Sequence, residues 1–449
     1  MLAGLLTITL VSGCGLVEHT DSKEDRTYDV YEEPIETGME QTPVISYEIP
    51  DMQIGVLVNR TGYSKDGEKK VFFRGSDLPA VFEVVDQESG QTVFTGRLQD
   101  VVYNALSGEY NGYGDFSEVT TEGRFLIRCD RIGYSQPFTV SAGYLKEMQE
   151  AGLTLLPDPR TLKDEDFVDI CNTVSLLLLS YELYGDVYEN PSGSELTENE
   201  LIRKCRQYIE WLYEKQDSRT GTVYDEDVIN FEKTAWLSAV LAKFSYTYQK
   251  YDSAYATGCL QAADKAWGAV YQREETQDAL VFYAASELYR ATGQSKYAKV
   301  QENIGKTLPE VADNGPQTFG TFTYAATKRK VDVELCGSLL MVLLNRAEEI
   351  AACSKDMPYE IGSSILSKEK KDILWEGVLI AATNYIITNQ EYGTLAENYY
   401  NYLGGINETA ECLIATEEES DSTDGTEIAA CLMILSEMMS RQANRDLTE

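Results

Sequence analysis

The chain has 449 residues, of which 43% are hydrophobic and 25% charged, a globular composition with room for two or three domains and a sizeable core. Against 38 lysines and arginines stand 74 aspartates and glutamates, and the formal charge of -36 sets up a field that repels phosphate backbones, arguing against nucleic acid as a partner. The single histidine, His19, falls in a predicted tether, which excludes a histidine-centred triad or a histidine-rich metal site from the folded part. Acid and base chemistry must then come from carboxylates, tyrosine, lysine or cysteine.

Residues 1–14, MLAGLLTITLVSGC, form an apolar stretch too short to span a bilayer, ending in small residues that lead into Cys14. This is the pattern of a bacterial lipoprotein signal, with lipidation expected at Cys14 and an extracytoplasmic, membrane-anchored protein at the cell surface. Residues 15–47 are acidic, poor in aliphatics and rich in breakers, as expected of a disordered stalk. The other eight cysteines are scattered without a CxxC pair or regular spacing, so buried free thiols are expected rather than a zinc site or a disulfide scaffold.

Residues 48–142 carry short alternating segments, among them IGVLVNRTGY, KKVFFRG, AVFEVVDQESGQTVFTGRL and GRFLIRCDRIG, separated by glycine, aspartate and serine turns. Their length and spacing predict an immunoglobulin-like β-sandwich. Residues 143–449 read as helical. Thr197-Glu198-Asn199-Glu200 has the form of a capping box opening the helix that carries Trp211, and Thr292-Gly293 forms a helix stop. Between Thr234 and Tyr297 three helical segments follow one another on short connections, with apolar residues at three- and four-residue steps, so neighbouring helices are expected to stack antiparallel. About ten to twelve helices fit between Asp166 and Ser440, and hairpins in such a number suit an all-α toroid.

The order of these pieces resembles glycoside hydrolase family 9, in which an immunoglobulin-like module precedes an (α/α)6 barrel. The resemblance rests on VNRTGY (58–63), SGEY (107–110), DFS (115–117) and SQPF (135–138) in the module, and on LLLLSYELY (176–184), YDSAYATGCLQAADKAW, AASELYRATGQSKY, NYLGGIN (401–407) and GTEIAACLMILSEM in the barrel. It covers about nine tenths of the chain through motifs that are individually weak. It implies a cellulase-type protein that acts on β-1,4-glucan by inversion, where a carboxylic acid protonates the leaving oxygen while a carboxylate on the opposite face activates water.

On this resemblance Glu427, in Gly425-Thr426-Glu427-Ile428-Ala429, stands at the family's proton donor, with Thr426 where the family usually has asparagine. The family's Asp-Ala-Gly-Asp motif, which supplies the base, has no counterpart here. Asp158, Asp164 and Asp166, in LPDPRTLKDEDFVD, are the nearby carboxylates that could stand in for it, or they simply solvate a loop and cap the helix that follows. The family's paired histidines and arginine are replaced by the acidic run IATEEESDSTDGTE. Within it Glu417 to Glu419, Asp421 and Asp424 offer oxygen ligands for calcium, but the spacing and central glycine of a calcium loop are missing, so no cofactor is expected. Tyr224, Phe319, Phe322, Tyr324 and Trp375 fall near expected helix ends, where aromatic rings could stack on sugar, although core packing is the ordinary role of such rings. Two readings follow: a surface-anchored β-glucan hydrolase, or a catalytically degenerate relative that binds a polysaccharide or a protein on the same scaffold.

Overall fold

The computed structural model describes residues 54–105, 108–185, 198–271, 273, 276–355, 357–362, 370–414 and 434–435. Cys14, the stalk, the acidic run at 417–424 and Glu427 lie outside the described residues.

The first part is a β-sandwich of nine strands: β1 (Val56–Leu57), β2 (Tyr63–Ser64), β3 (Lys70–Gly75), β4 (Val81–Asp86), β5 (Thr92–Asn104), β6 (Glu109–Asp115), β7 (Gly123–Cys129), β8 (Gly133–Tyr134) and β9 (Phe138–Ser141). The strand order is β1-β3-β6-β5-β4-β7-β9-β2, with β8 added on β7. The long strand β5 serves both layers, because its first half pairs with β4 and its second half with β6. The partner changes between Arg97 and Leu98, and just beyond it, between Gln99 and Val102, the pairing with β6 is irregular where Asp100 takes a left-handed φ of 49°; a bulge of this kind bends a strand. Alternate residues Val71, Phe73, Phe82, Val84, Phe125 and Ile127 fill the space between the layers.

On an isolated sandwich the residues between these would face water. Here Leu57 and Phe72 point outward from β1 and β3 and join the core of the helical part, where Phe72 meets Tyr359 with ring centroids 4.7 Å apart. One layer is therefore buried on both faces, which explains why four consecutive residues of β3 are buried.

The helical part contains α1 (Tyr144–Leu155), α2 (Phe167–Tyr184), α3 (Glu200–Glu214), α4 (Phe231–Tyr248), α5 (Ser253–Val270), α6 (Asp278–Thr292), α7 (Ser295–Gly305), α8 (Pro316–Ala326), α9 (Val333–Ser354), α10 (Lys370–Ile386) and α11 (Gln390–Gly404). A short antiparallel hairpin, β10 (Val223–Asp225) and β11 (Val228–Asn230), precedes α4. The even-numbered helices α2, α4, α6 and α8 are buried almost all round. The odd-numbered α3, α5, α7 and α9 bury one stripe each. Short connections make successive helices antiparallel, yet α2 packs on α4, α4 on α6 and α6 on α8. The buried helices are thus an inner ring running in one direction, and their N-termini open at one end of the barrel.

Local chemistry sets the helix boundaries. Gly293 ends α6 at φ 71°, and its amide bonds to the Tyr289 carbonyl, as the Thr292-Gly293 pair predicts. The expected capping box at Thr197 is replaced. Asn199 is the N-cap of α3, its Oδ1 accepting the Ile202 amide at 2.8 Å, while Glu198 turns away to pair with Arg206. Thr197 itself is outside the described residues. Seven cysteines among the described residues are free thiols, five of them buried.

Candidate active site at the open end of the inner ring

The N-terminal end of the inner ring gathers groups from three segments. Two single 3-10 turns, Pro159–Thr161 and Asp164–Asp166, lead into α2, and the β10–β11 hairpin leads into α4. Asn230 closes the hairpin and caps α4 through its Oδ1, which accepts the Lys233 amide at 2.8 Å. That cap turns the first residues of α4 back under the hairpin, so Lys233 reaches Asp225 Oδ1 at 2.6 Å and the Asp164 carbonyl at 2.9 Å. Asn230 Nδ2 donates to the other Asp225 oxygen at 2.7 Å. Asp164 is held in turn by Lys215 at 2.6 Å. Two carboxylates, two ammonium groups and an amide thus form one connected cluster.

Lys233 first, and Asn230 after it, hold the Asp225 carboxyl below the usual carboxylate range by bonding its charged form. Asp158 is pulled down as well, through its pair with Arg160 and the Arg160 amide. Asp158 caps the first 3-10 turn, and Asp166 Oδ2 accepts the Lys163 amide at 2.7 Å across the second. Asp158 and Asp166 therefore organise the loop, while Asp164 joins the lysine-bridged cluster. Beside it, a small recess of about 270 Å³ is lined by Asp225, Val228, Asn230, Phe231 and Glu232, and the Arg273 guanidinium lies over the Phe231 ring at 5.1 Å.

The aromatic candidates separate by exposure. Tyr224, on β10, is 38% exposed and stands next to Asp225 at this open end. Tyr324 and Trp375 are 1% and 2% exposed, so neither ring offers a face to a sugar. Both are buried by their neighbours: Tyr324, on the inner-ring helix α8, takes the Asp332 amide at 3.1 Å, and Trp375, on α10, packs on Phe319 with centroids 5.5 Å apart. Phe319 and Phe322 are core residues for the same reason. Sequence reasoning missed Asp225, Asn230 and Lys233. The signal was present in TVYDEDVIN, two three-residue β-like runs around an acidic turn between helices.

Comparison with known proteins bears on the module and the fold. Residues 51–134 match the cellulase N-terminal ig-like domain family. A xyloglucan-specific endo-beta-1,4-glucanase of Bacteroides ovatus is 22% identical over 80% of this chain and 80% of its own length. Among solved structures, a metagenome-derived glycoside hydrolase family 9 endoglucanase superposes with a TM-score of 0.72 at 18% identity, covering 85% of this chain and 98% of that one. An endoglucanase from Alicyclobacillus acidocaldarius gives 0.66 at 19% identity, over 80% and 84% of the two chains. With its module of the cellulase N-terminal type and its helical barrel behind, the chain has the fold of the glycoside hydrolase family 9 endoglucanases.

Proposed function

We propose that the chain is a β-1,4-glucan hydrolase acting at the open end of the inner ring, with Glu427 as proton donor and a base drawn from the Asp164–Asp225 cluster. The observation that carries this reading is the pair of carboxylates held at the mouth by Lys215 and Lys233. Inversion needs a carboxylate that stays ionised beside the water it activates, and a lysine partner keeps Asp225 ionised. Tyr224, exposed on the same hairpin, supplies a ring for the apolar face of a sugar. The xyloglucan specificity of the Bacteroides ovatus relative makes xyloglucan the first substrate to test, beside unsubstituted and mixed-linkage β-glucan.

A second reading, glucan binding without turnover, is favoured by a different aspect of the same cluster. A carboxylate bonded to an ammonium group is a weak base, and both Asp164 and Asp225 are so bonded. The test is reducing-end release by the full chain and by Glu427→Gln. Release that depends on the glutamate supports hydrolysis, whereas retention of glucan without any release supports the binding protein. Attachment of the mature chain to a membrane through a lipid on Cys14 is a further part of the proposal, tested by fatty-acid labelling of the wild type and Cys14→Ala.

A further inference from the structure

The outer stretch of the β5–β6 hairpin carries two tyrosines that stand largely open to solvent. Tyr103 and Tyr110 are direct partners across the strands, with ring centroids 5.3 Å apart and planes at 66°. Tyr110 also pairs with Gly75 of β3, two residues beyond Phe73, so both rings occupy the face that elsewhere fills the sandwich. Here that face is open: Tyr103 is 60% and Tyr110 42% exposed. Val101 extends the patch by leaning over Gly112, where a Cβ would come within 3.0 Å of its Cγ2. Gly75 and Gly112 put no side chain beside Tyr110, which leaves the ring pair standing clear.

The hairpin lies at the same end of the molecule as the candidate site. Asn314, two residues before α8, donates to Asp372 in the first turn of α10 at 3.1 Å, so α10 starts at the open end as α8 does. The connection from α9 into α10 is therefore at that end, and it meets the sandwich: Tyr113 donates to the Pro358 carbonyl at 2.7 Å, and Phe72 packs on Tyr359. Asp66 and Glu68, just before β3, instead share a cavity wall with Thr388 and Asn389 in the α10–α11 turn, at the opposite end. The hairpin tip thus points toward the open end, with Tyr110 about 10 Å further along β6 than Tyr113.

We propose that Tyr103 and Tyr110 form a second contact for a long glucan chain, outside the candidate active site, with the apolar face of a sugar unit stacked on the pair. The inference rests on the reading of the chain as a β-glucan protein, and adds where a polymer is gripped beyond the mouth. Two exposed rings set steeply to each other offer one face to stack on a sugar and a second ring beside it. Charge decides between occupants. Asp100 and Glu109 flank the rings along their strands, while Arg74, next to Gly75, is turned to the other face and donates to the Glu408 carbonyl at 2.6 Å. Acidic flanks on a chain of charge -36 oppose an anionic partner and a second copy alike. A neutral polysaccharide meets no such repulsion, and its hydroxyls donate to carboxylates.

The experiment uses the full chain carrying Glu427→Gln, to prevent turnover, and measures binding to soluble xyloglucan and mixed-linkage β-glucan by affinity electrophoresis and to cellotetraose by calorimetry. Adding Tyr103→Ala with Tyr110→Ala should weaken polymer binding about tenfold and leave cellotetraose, short enough for the mouth alone, unchanged. Tyr103→Phe with Tyr110→Phe keeps the rings and should keep the binding. Both side chains are exposed, so the variants fold, and a thermal scan checks it. Undiminished polymer binding in the alanine pair, or an equal loss for cellotetraose, overturns the proposal and leaves the hydrolase reading standing. Tyrosine-dependent binding without Glu427-dependent release upholds the proposal while hydrolysis fails; a wild-type chain that retains neither polymer overturns both. A dimer seen by sedimentation and lost with the two tyrosines would give this face to a second copy and overturn the proposal as well.

Discussion

Lys243 and Glu287 face each other at 3.3 Å inside the barrel, 2% and 0% exposed, from two adjacent helices of the inner ring. Lys243 also reaches Glu182 at 3.1 Å, and Arg290 holds the other Glu182 oxygen at 2.5 Å. Tyr246 and Thr323 donate to Glu287 at 2.7 and 2.5 Å. Four inner helices, α2, α4, α6 and α8, are thereby tied at one level. The arrangement is costly to assemble but more costly to break, since removing one partner strands a buried charge. Lys243→Met should lower stability by about 3–5 kcal/mol, measured as the denaturant midpoint at unchanged slope. Glu287→Gln, which keeps an acceptor for Tyr246 and Thr323, should cost less than Lys243→Met.

The sandwich is keyed to the barrel at Asn59. Its Nδ2 donates to Asn401 at 3.0 Å and to Tyr144 at 3.3 Å, its Oδ1 accepts the Thr61 amide at 3.1 Å, and the next amide, Arg60, bonds to the Gly404 carbonyl at 2.8 Å. A Cβ on Gly404 would be driven into the Asn59 amide. The Asn59 side chain is 1% exposed and fully engaged, so it has nowhere to swing. Gly404→Ala should therefore cost about 1–3 kcal/mol through the lost bonds, although alanine suits a helix end better than glycine. If thermal unfolding of this variant is indistinguishable from wild type, Asn59 is not the key described.

The alternation of Val71 and Phe73 was enough to place one face of β3 in the sandwich core, but nothing local to Phe72 says that a second core waits on the other side. The apolar three- and four-residue steps of α4 and α6 announced antiparallel stacking with one buried face each, but not the inner ring: both helices are buried almost all round. Tyr324 and Trp375 defeated sequence reasoning because nearness to a helix end does not say which way a ring points. Asp225 and Lys233 were invisible for a related reason: their pair depends on Asn230 folding α4 back beneath the hairpin. The resemblance pointed to the right scaffold, while the loop carrying the family's base motif diverges and left only Asp158, Asp164 and Asp166 to choose among.

Stability should fall as pH rises through neutrality, owing to Glu408. Burial pushes its carboxyl up to about 7; Tyr402 donates to Oε2 at 2.9 Å, while the buried Oε1 has no partner. The unfolded chain releases this proton near the ordinary value of about 4.3. Between that value and about 7 the folded state binds the proton more tightly, so the contribution is full at lower pH and is lost as pH climbs through the folded value. Glu397, raised for a similar reason, adds to the same slope. Glu408→Gln should remove about 1–3 kcal/mol of the loss between pH 5 and 8. Denaturant midpoints at the two pH values decide it, and an unchanged difference would reject the assignment.

The base can be identified through Lys233, which bonds both the Asp225 carboxylate and the Asp164 backbone without belonging to the donor side of the reaction. If Asp225 activates water, the lysine is what lets activity persist into acid, because it keeps the carboxylate ionised. Lys233→Met should then move the acid limb of the kcat/KM profile on β-glucan upward by about one pH unit, while Lys233→Arg restores it. Asp225→Asn should lower kcat at least about 100-fold with little change in KM, the pattern of a group acting in the transition state. The same substitution at Asp164 should be milder, since its backbone carbonyl, through which Lys233 is anchored, is left in place. A large loss in Asp164→Asn with a mild one in Asp225→Asn would transfer the role of base from the hairpin to the turn before α2.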